Sequence, residues 1–472
     1  MKQEVVSSHQ ISKRSLNLLL LNPPARQIMS ESMVVPPLGI AYLAAVIRRA
    51  GYRVAIKDAS AEQMSWERLV TFLKKERPDI LGLSSMSPTI DVALKAVNVA
   101  RPFVSTIIMG GPHVSVWGQE IFRQCPELDL GVVGEGEETM VELMAALAAG
   151  RSPAGVPGVI GKSFVGPSRP LISDLDTIPF PARDLLPLDR YHYPFSKTRR
   201  ITTLFTSRGC PFECIFCDKS IFGTRWRARS AQNILAEIDE LVERFNIPSM
   251  IIYDDLFTLD DERTRDICEG ILSRGYKLDW KCESRVNLVN SNTLKLMKRA
   301  GCTMIAYGVE SGNQVGLDYL NKKITIEQIK RAFAHTHEAG IATMAYFILG
   351  IPVESYEDEL HTINFAKELN PDYVQFSVLS PFYGTKLHQE AVDKEWYREI
   401  HARNPMDKDL KKPVVMSPQW NAENLQRILR CAYYSFYFRP RYICKRLVSM
   451  KNSTQLLGCI RGFSMLRGWL KG

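Results

Sequence analysis

At 472 residues the chain is too long for one ordinary core, and 45% hydrophobic with 24% charged residues is a globular composition, so two or three domains are expected. Residues 1–15 are polar, without the apolar core of a signal peptide, and the longest apolar run, residues 341–353, is interrupted by Gly350 and Pro352, which excludes a membrane span. Ten cysteines with no secretory signal imply a reducing, cytoplasmic compartment, and the net charge of +9 belongs to residues 425–472, which hold ten Lys and Arg and no Asp or Glu.

In chain order, the polar segment 1–15 is followed by a domain over residues 16–150. There apolar strands (16–21, 53–57, 80–83, 106–109, 130–133) alternate with helices (38–50, 62–77, 88–101, 117–124, 137–149). Five β/α units predict a doubly wound, flavodoxin-like parallel sheet, which binds ligands at the carboxyl ends of its strands. The residues there are small: Pro23, Ser84 and Ser85, Gly110 and Gly111 followed by His113, and Gly134 with Glu135. Ordinary tight βα loops have the same composition. Neither G-x-G-x-x-G nor G-x4-G-K-[ST] is present, so a dinucleotide or P-loop nucleotide is not expected.

Residues 151–198 are rich in Pro and Gly and read as a linker lying on the surface. The alternation resumes in a second domain, residues 199–395, with strands at 201–205, 250–253, 278–282, 304–308, 342–349 and 373–378. Helices are predicted at 231–245, 262–274, 291–300, 326–339 and 356–369. Six such units fit a β/α barrel, whose chemistry belongs at the C-terminal strand ends. Residues 396–472 read as a helical, basic and aromatic extension.

After the first of these strands stand Cys210, Cys214 and Cys217, spaced C-x3-C-x2-C. Three thiols so close in a reducing compartment suit a metal or an iron–sulfur cluster better than disulfides. No fourth Cys follows nearby, so a cubane held by these three keeps one iron open for a substrate. The other seven cysteines have no C-x2-C spacing and read as small core hydrophobes.

The C-x3-C-x-aromatic-C wording, with Phe216 before the third Cys, resembles the radical S-adenosylmethionine (SAM) enzymes. That resemblance implies a 4Fe-4S cluster on Cys210, Cys214 and Cys217, with SAM chelating the open iron and Phe216 near its adenine. It also implies a partial (β/α)6 barrel and gives roles to the later strand ends. Asp254 and Asp255 are candidates for the SAM amino group or a cationic substrate, or else a helix cap. Arg285 is a candidate clamp for the SAM carboxylate, or else an ion-pair partner of Glu283. In Gly308-Val309-Glu310-Ser311-Gly312, similar to the G-[IV]-E-S-G motif, Glu310 suits the ribose hydroxyls, and Ser311 and Gly312 lie against the adenosyl group. Gly350-Ile351-Pro352 suits an adenine wall, and residues 381–385 resemble a P-x-x-G-T loop.

With this motif downstream, residues 16–150 resemble the cobalamin-binding domain fused to many radical SAM enzymes. Pro36-Pro37-Leu38-Gly39, Gly110-Gly111-Pro112-His113 and Gly134-Glu135-Gly136-Glu137-Glu138 match its wording. The D-x-H-x-x-G motif, whose His ligates cobalt, is replaced by residues 58–63 (Asp-Ala-Ser-Ala-Glu-Gln), leaving His113 as the candidate substitute. The resemblance implies a cobalamin-dependent radical SAM enzyme, like the class B methyltransferases, that methylates an unactivated carbon through a 5′-deoxyadenosyl radical and methylcobalamin. Three cofactors follow: the cluster, SAM and cobalamin. A non-methylating cyclase or rearrangement enzyme is the alternative. A tRNA methylthiotransferase needs three further N-terminal Cys, whereas only Cys125 precedes Cys210; a corrinoid sensor would not need the intact three-Cys motif. Expected partners are a small, hydrophobic substrate and an electron donor such as ferredoxin or flavodoxin. Nucleic acid is not favoured. The eight aromatics and ten basic residues of 425–472 fit either a helical cap or a peripheral membrane contact.

Overall fold

The computed structural model describes residues 16–24, 33–193, 196, 198, 200–401 and 411–449. The polar segment 1–15, Cys459 and the aromatics Phe463 and Trp469 of the tail lie outside the described residues. The chain divides into two compact units. One contains the N-terminal sheet, Pro37–Ile172 and Ile178–Pro187; the other contains Ser173–Thr177 and everything from Leu188 onward.

In the first unit, β1 (Asn17–Asn22), β2 (Arg53–Asp58), β3 (Ile80–Ser84), β4 (Thr106–Gly110) and β5 (Leu130–Val132) form a parallel sheet in the order β2-β1-β3-β4-β5. This is the expected doubly wound sheet. Its central strand reads Leu18-Leu19-Leu20-Leu21, every residue buried, because helices cover both faces of a parallel sheet. Chain direction reverses between β1 and β3, so the loops after these two strands flank the switch point at which such sheets take ligands.

The stretch expected as a linker differs. β6 (Val159–Gly161) and β7 (Phe164–Val165) extend the sheet antiparallel beyond β5. Strands this short carry no readable alternation, and their Pro and Gly neighbours read as loop. The helix expected over 117–124 is also broken: an α-helix covers Pro112–Trp117 and another Ile121–Gln124, with Gly118 at φ +54° between them.

The second unit holds six parallel strands in chain order: β8 (Ile201–Leu204), β11 (Ser249–Ile252), β12 (Asp279–Ser284), β13 (Cys302–Glu310), β14 (Ala342–Leu349) and β15 (Tyr373–Val378). Between the first two, β9 (Ser207–Arg208) pairs antiparallel with β10 (Arg227–Ala228). This is the partial (β/α)6 topology. One set of alternate residues, such as Trp280 and Cys282 on β12 or Phe347 and Leu349 on β14, enters a core shared with the helices. The helices start at side-chain caps: Ser230, Asp260 and Asn290 each accept the N3 N–H, and Thr325 and Ser355 form capping boxes with Gln328 and Asp358.

β15 is an edge strand, and an uncovered edge presents unpaired N–H and C=O groups. The helix Ala422–Tyr437 covers it with hydroxyls in place of a strand. Tyr437 Oη donates to Val374 O (2.7 Å) and accepts from Val374 N–H (3.1 Å). One turn earlier Tyr433 Oη does the same at Phe376, at 3.0 and 3.3 Å. In the next helix, Pro440–Ser449, Tyr442 Oη donates to Asp372 O (2.9 Å), and the Arg446 guanidinium stacks 4.0 Å from the Tyr373 ring. These aromatic and basic side chains of the extension therefore act as a cap on the sheet.

Candidate active site and cofactor loops

The cysteine loop leaves β8 through Thr206 and Ser207, both held by one buried carboxylate. Asp254 accepts from Thr206 N–H (2.6 Å), from the Thr206 hydroxyl and from the Ser207 hydroxyl (2.7 Å). Arg263 adds a bond from its guanidinium to Thr206 O at 2.6 Å. Gly209 follows at φ +86°, where a Cβ would stand 2.4 Å from Arg225 O; the loop crosses itself at a point that admits no side chain. Past it, Ile215 N–H donates to Leu320 O (3.2 Å), Ile215 O accepts from Leu387 N–H (2.9 Å), and Asn321 donates to Glu213 O (2.7 Å). Phe216 packs in an apolar group that also contains Ile351.

Burial raises the Cys210 thiol above its usual range. Desolvation by the surrounding loop also pushes Cys217, which keeps an exposed surface, up to about 12, with the other two sulfurs and Asp255 adding to it. Cys210 and Cys217 therefore need a cation beside them to be held as thiolates. Among the described residues no three His, Cys, Asp or Glu side chains converge on a single metal ion. A cubane cluster asks for less convergence, since each thiolate binds a different iron.

The strand ends bring charged groups toward this loop. Arg285, after β12, is buried and fully engaged. Its Nη1 lies 3.7 Å from Cys214 Sγ, its Nε donates to Asn287 Oδ1 (3.2 Å), its Nη2 donates to Lys322 O, and its guanidinium stacks 3.7 Å from the Phe212 ring. Glu310, at the end of β13 with φ +69°, pairs with Lys322 Nζ at 2.6 Å, both buried. Gly308 makes room for that pair: a Cβ there would stand 2.4 Å from Glu310 Oε1 and 2.7 Å from Lys322 Nζ. Ser311 turns its hydroxyl to Glu354 (2.5 Å), and Gly312 lies where a Cβ would meet Thr362 Cα and Phe365 Cβ at 2.8 Å.

Asp254 and Asp255, adjacent in sequence, have separate jobs. Asp254 is committed to the loop anchors. Asp255 accepts from Gly209 N–H and acts on Cys210 and Cys217; it keeps an exposed surface, and desolvation by the loop first, then the charge of Asp254, raises its carboxyl. The sequence named Glu283 only as a possible partner of Arg285 and gave Tyr253 and Lys322 no role. Glu283 is raised by burial and by the charges of Asp255 and Glu310, and it accepts from Tyr346 Oη at 3.3 Å. Tyr253 is pushed up to about 12 by burial and by Glu283. Polar Asp279, Lys281 and Glu283 alternate with apolar Trp280 and Cys282 along β12, a period-2 signal that was there to be read. Lys322 had no such signal; it lies beyond the motif.

In the first unit the candidate residues meet mainly through backbone. Ser85 donates from N and Oγ to Gly110 O, both at 2.9 Å, and its own O accepts from His113 N–H (3.2 Å). Gly111, at φ +96°, sits where a Cβ would be 2.6 Å from Ser85 O and 2.8 Å from Ser84 Oγ. Gly134 N–H donates to Ser115 Oγ (3.0 Å), and Glu135 accepts from Ile172 N–H (2.8 Å). Pro23 is half-buried after β1 and Ser84 exposed at the end of β3, on the two sides of the switch point. His113 is 3% exposed, stacked on Trp117, with both ring nitrogens taken: Nδ1 by Ser87 Oγ (3.0 Å) and Nε2 by Gln124 (3.2 Å). Burial lowers its pKa.

Residues 32–144 match the family model of the B12 binding domain, and residues 204–366 match that of the radical SAM superfamily. An uncharacterized methyltransferase of Pyrococcus horikoshii is 35% identical over 91% of this chain and 94% of its own length. The chain belongs to the cobalamin-binding radical SAM enzymes. The anaerobic magnesium-protoporphyrin IX monomethyl ester cyclase of Rubrivivax gelatinosus is 30% identical over 91% of this chain and 78% of its own length. In fold, the chain resembles the radical SAM methyltransferase TsrM of Kitasatospora setae, solved with cobalamin and a 4Fe-4S cluster bound. There the TM-score is 0.73 at 18% identity, over 90% of each chain.

The residues present fit the cofactors of a cobalamin-binding radical SAM enzyme: a 4Fe-4S cluster, SAM and cobalamin. The three thiols stand on a loop pinned at both ends. Gly110, Gly111 and Ser85 pack closely at the carboxyl ends of β3 and β4, the strand ends at which a doubly wound sheet takes its ligand. Among the described residues, no helix is long and apolar enough to cross a membrane.

Proposed function

We propose that this enzyme methylates an unactivated carbon of a small molecule. The observation carrying this reading is the near full-length similarity to a methyltransferase, over both cofactor domains, with the three-Cys motif intact. When bound, the cluster and SAM supply the hydrogen-abstracting radical and cobalamin supplies the methyl group. The protein's own part is to hold and orient. Cys210, Cys214 and Cys217 hold the cluster, and Asp254 and Arg285 fix the loop that carries them. The Glu310–Lys322 pair and Phe216 shape the SAM site, leaving Asp255 and Glu283 to face the reactants. Pro23, Ser84, Ser85, Gly110, Gly111, Gly134 and Glu135 line the corrinoid cleft, and His113 supports it from behind, its ring nitrogens being spent on Ser87 and Gln124.

The reductant is a one-electron donor such as a ferredoxin or flavodoxin. The similarity to a cyclase favours a second reading, in which both cofactors act without methyl transfer. Anaerobic purification with cluster reconstitution, followed by incubation with methyl-labelled SAM and a small-molecule extract, separates the two. The expected result is 5′-deoxyadenosine together with label in a product; 5′-deoxyadenosine with no labelled product sinks methylation and leaves the cyclase-type reading.

A further inference from the structure

Two carboxyls outside the cofactor motifs join the loop after β13 to the loop after β14. Glu354 is 1% exposed and Glu359 is fully buried. Glu354 Oε1 accepts from Ser311 Oγ (2.5 Å) and faces Asn313 Nδ2 at 3.5 Å. Glu359 Oε1 accepts from the main-chain N–H groups of Gly350 (2.5 Å) and Ile351 (3.2 Å). Each carboxyl thus anchors a different loop. Their Oε2 atoms are buried and have no donor among the other described residues, while the two carboxyls are hydrogen-bonding neighbours of each other. Two ionised carboxylates at that distance repel strongly, and a donor-less buried oxygen on each adds a desolvation cost. One proton held between the two Oε2 atoms removes both costs.

We propose that Glu354 and Glu359 are positioning residues that share one proton, and that this acid–carboxylate pair locks residues 310–313 to residues 350–352, fixing the separation of two walls of the SAM site. The proposal rests on the reading of those two loops as SAM-binding. Gly316 is part of the device, since a Cβ there would stand 1.9 Å from Glu354 Oε1. The ionised group acting on the pair from nearby is Asp358, on the helix that carries Glu359, and its charge raises Glu354 further. The facing elements bring neutral groups: Ser311, Asn313, the Gly350 and Ile351 amides, and the Trp420 indole, which donates to Glu354 O at 3.0 Å.

Burial is the largest cause that raises both acids, Glu354 to about 7 and Glu359 well above the usual carboxylate range. The sign follows: the lock is intact while the pair keeps its proton and opens as pH rises through its folded-state titration. A single Gln replaces the proton with a permanent N–H donor, so E354Q and E359Q keep the lock and lose its titration, whereas E354A and E359A break it.

The test uses the reconstituted full chain. Infrared difference spectra between native protein and each Gln variant report the carboxylic C=O stretch, and equilibrium dialysis reports SAM binding between pH 6 and 9. The native protein is expected to show the buried acid band and to lose SAM affinity toward alkaline pH. E354Q lacks the band and its affinity stays level across the range. E354A binds SAM roughly tenfold more weakly at every pH, the loss expected when buried donors are orphaned. Absence of the band in native protein overturns the shared proton, and E354A that binds SAM as tightly as native protein overturns the positioning role. Native protein that shows the band but binds no SAM instead overturns the reading of the two loops. E359Q repeats the test from the other carboxyl should E354Q fail to fold.

Discussion

The two sheets of this enzyme are both built from parallel β/α units and differ in what stands at their strand ends. In the first unit the ends of β3 and β4 are Ser and Gly, with Ser85 bonded to the Gly110 carbonyl, and the buried His113 is spent on Ser87 and Gln124. In the second the ends carry Asp254, Asp255, Glu283, Arg285 and Glu310; Asp254, Arg285 and Glu310 are buried, and the Asp255 and Glu283 carboxyls are raised. The contrast follows from the task. A large cofactor that arrives with its chemistry built in needs a close-fitting surface, which small residues and exposed backbone provide. A site that must hold a cluster and a charged sulfonium cofactor in register needs fixed charges, and those are stable in a low-dielectric setting only when each is partnered. The sheet edges differ as well: β5 is extended by an antiparallel hairpin, whereas β15 is covered by tyrosine hydroxyls.

The strongest challenge to this contrast is Asp254→Ala. It leaves Thr206 N–H and two hydroxyls without their acceptor, so about 3 kcal/mol of local stability is expected to go, with loss of most of the iron on desalting. Iron content per chain and chemical denaturation measure it; retention of a full cluster would break the claim that Asp254 anchors the loop. The counterpart in the first unit is Gly111→Ala. Strain at φ +96° and the contact with Ser85 O predict about 2 kcal/mol of destabilisation. Corrinoid retention should fall while iron content stays at the native level. If both cofactors were lost together, the two units would not be separable in this way.

Tyr437→Phe sharpens the comparison of edges. It removes both bonds to Val374, and about 1–2 kcal/mol is expected, read as a lower unfolding midpoint with cofactor content unchanged. The smallest effect is expected from His113→Asn. With both ring nitrogens engaged by protein groups, the corrinoid absorption spectrum should match that of native protein, with a modest stability loss of about 1 kcal/mol. A shifted spectrum would make His113 a cobalt ligand after all.

The sequence was legible where one residue type has one use. The spacing of Cys210, Cys214 and Cys217, the alternation of apolar strands with capped helices, and the glycines at Gly110, Gly111 and Gly312 name their structural jobs without a fold, because thiolate chemistry, backbone periodicity and the missing Cβ are local properties. Charged and polar residues could not be assigned that way, since their role depends on which partner reaches them. Tertiary contact alone decided that Asp254 anchors a loop while Asp255 faces the cysteines, and that Arg285 is committed to Cys214, Asn287 and Lys322. It likewise turned Tyr433 and Tyr437, which read from sequence as part of a basic–aromatic tail, into the cover of an open sheet edge. Hydrogen bonds between residues dozens of positions apart leave no periodic trace along the chain, so only the folded protein could reveal them.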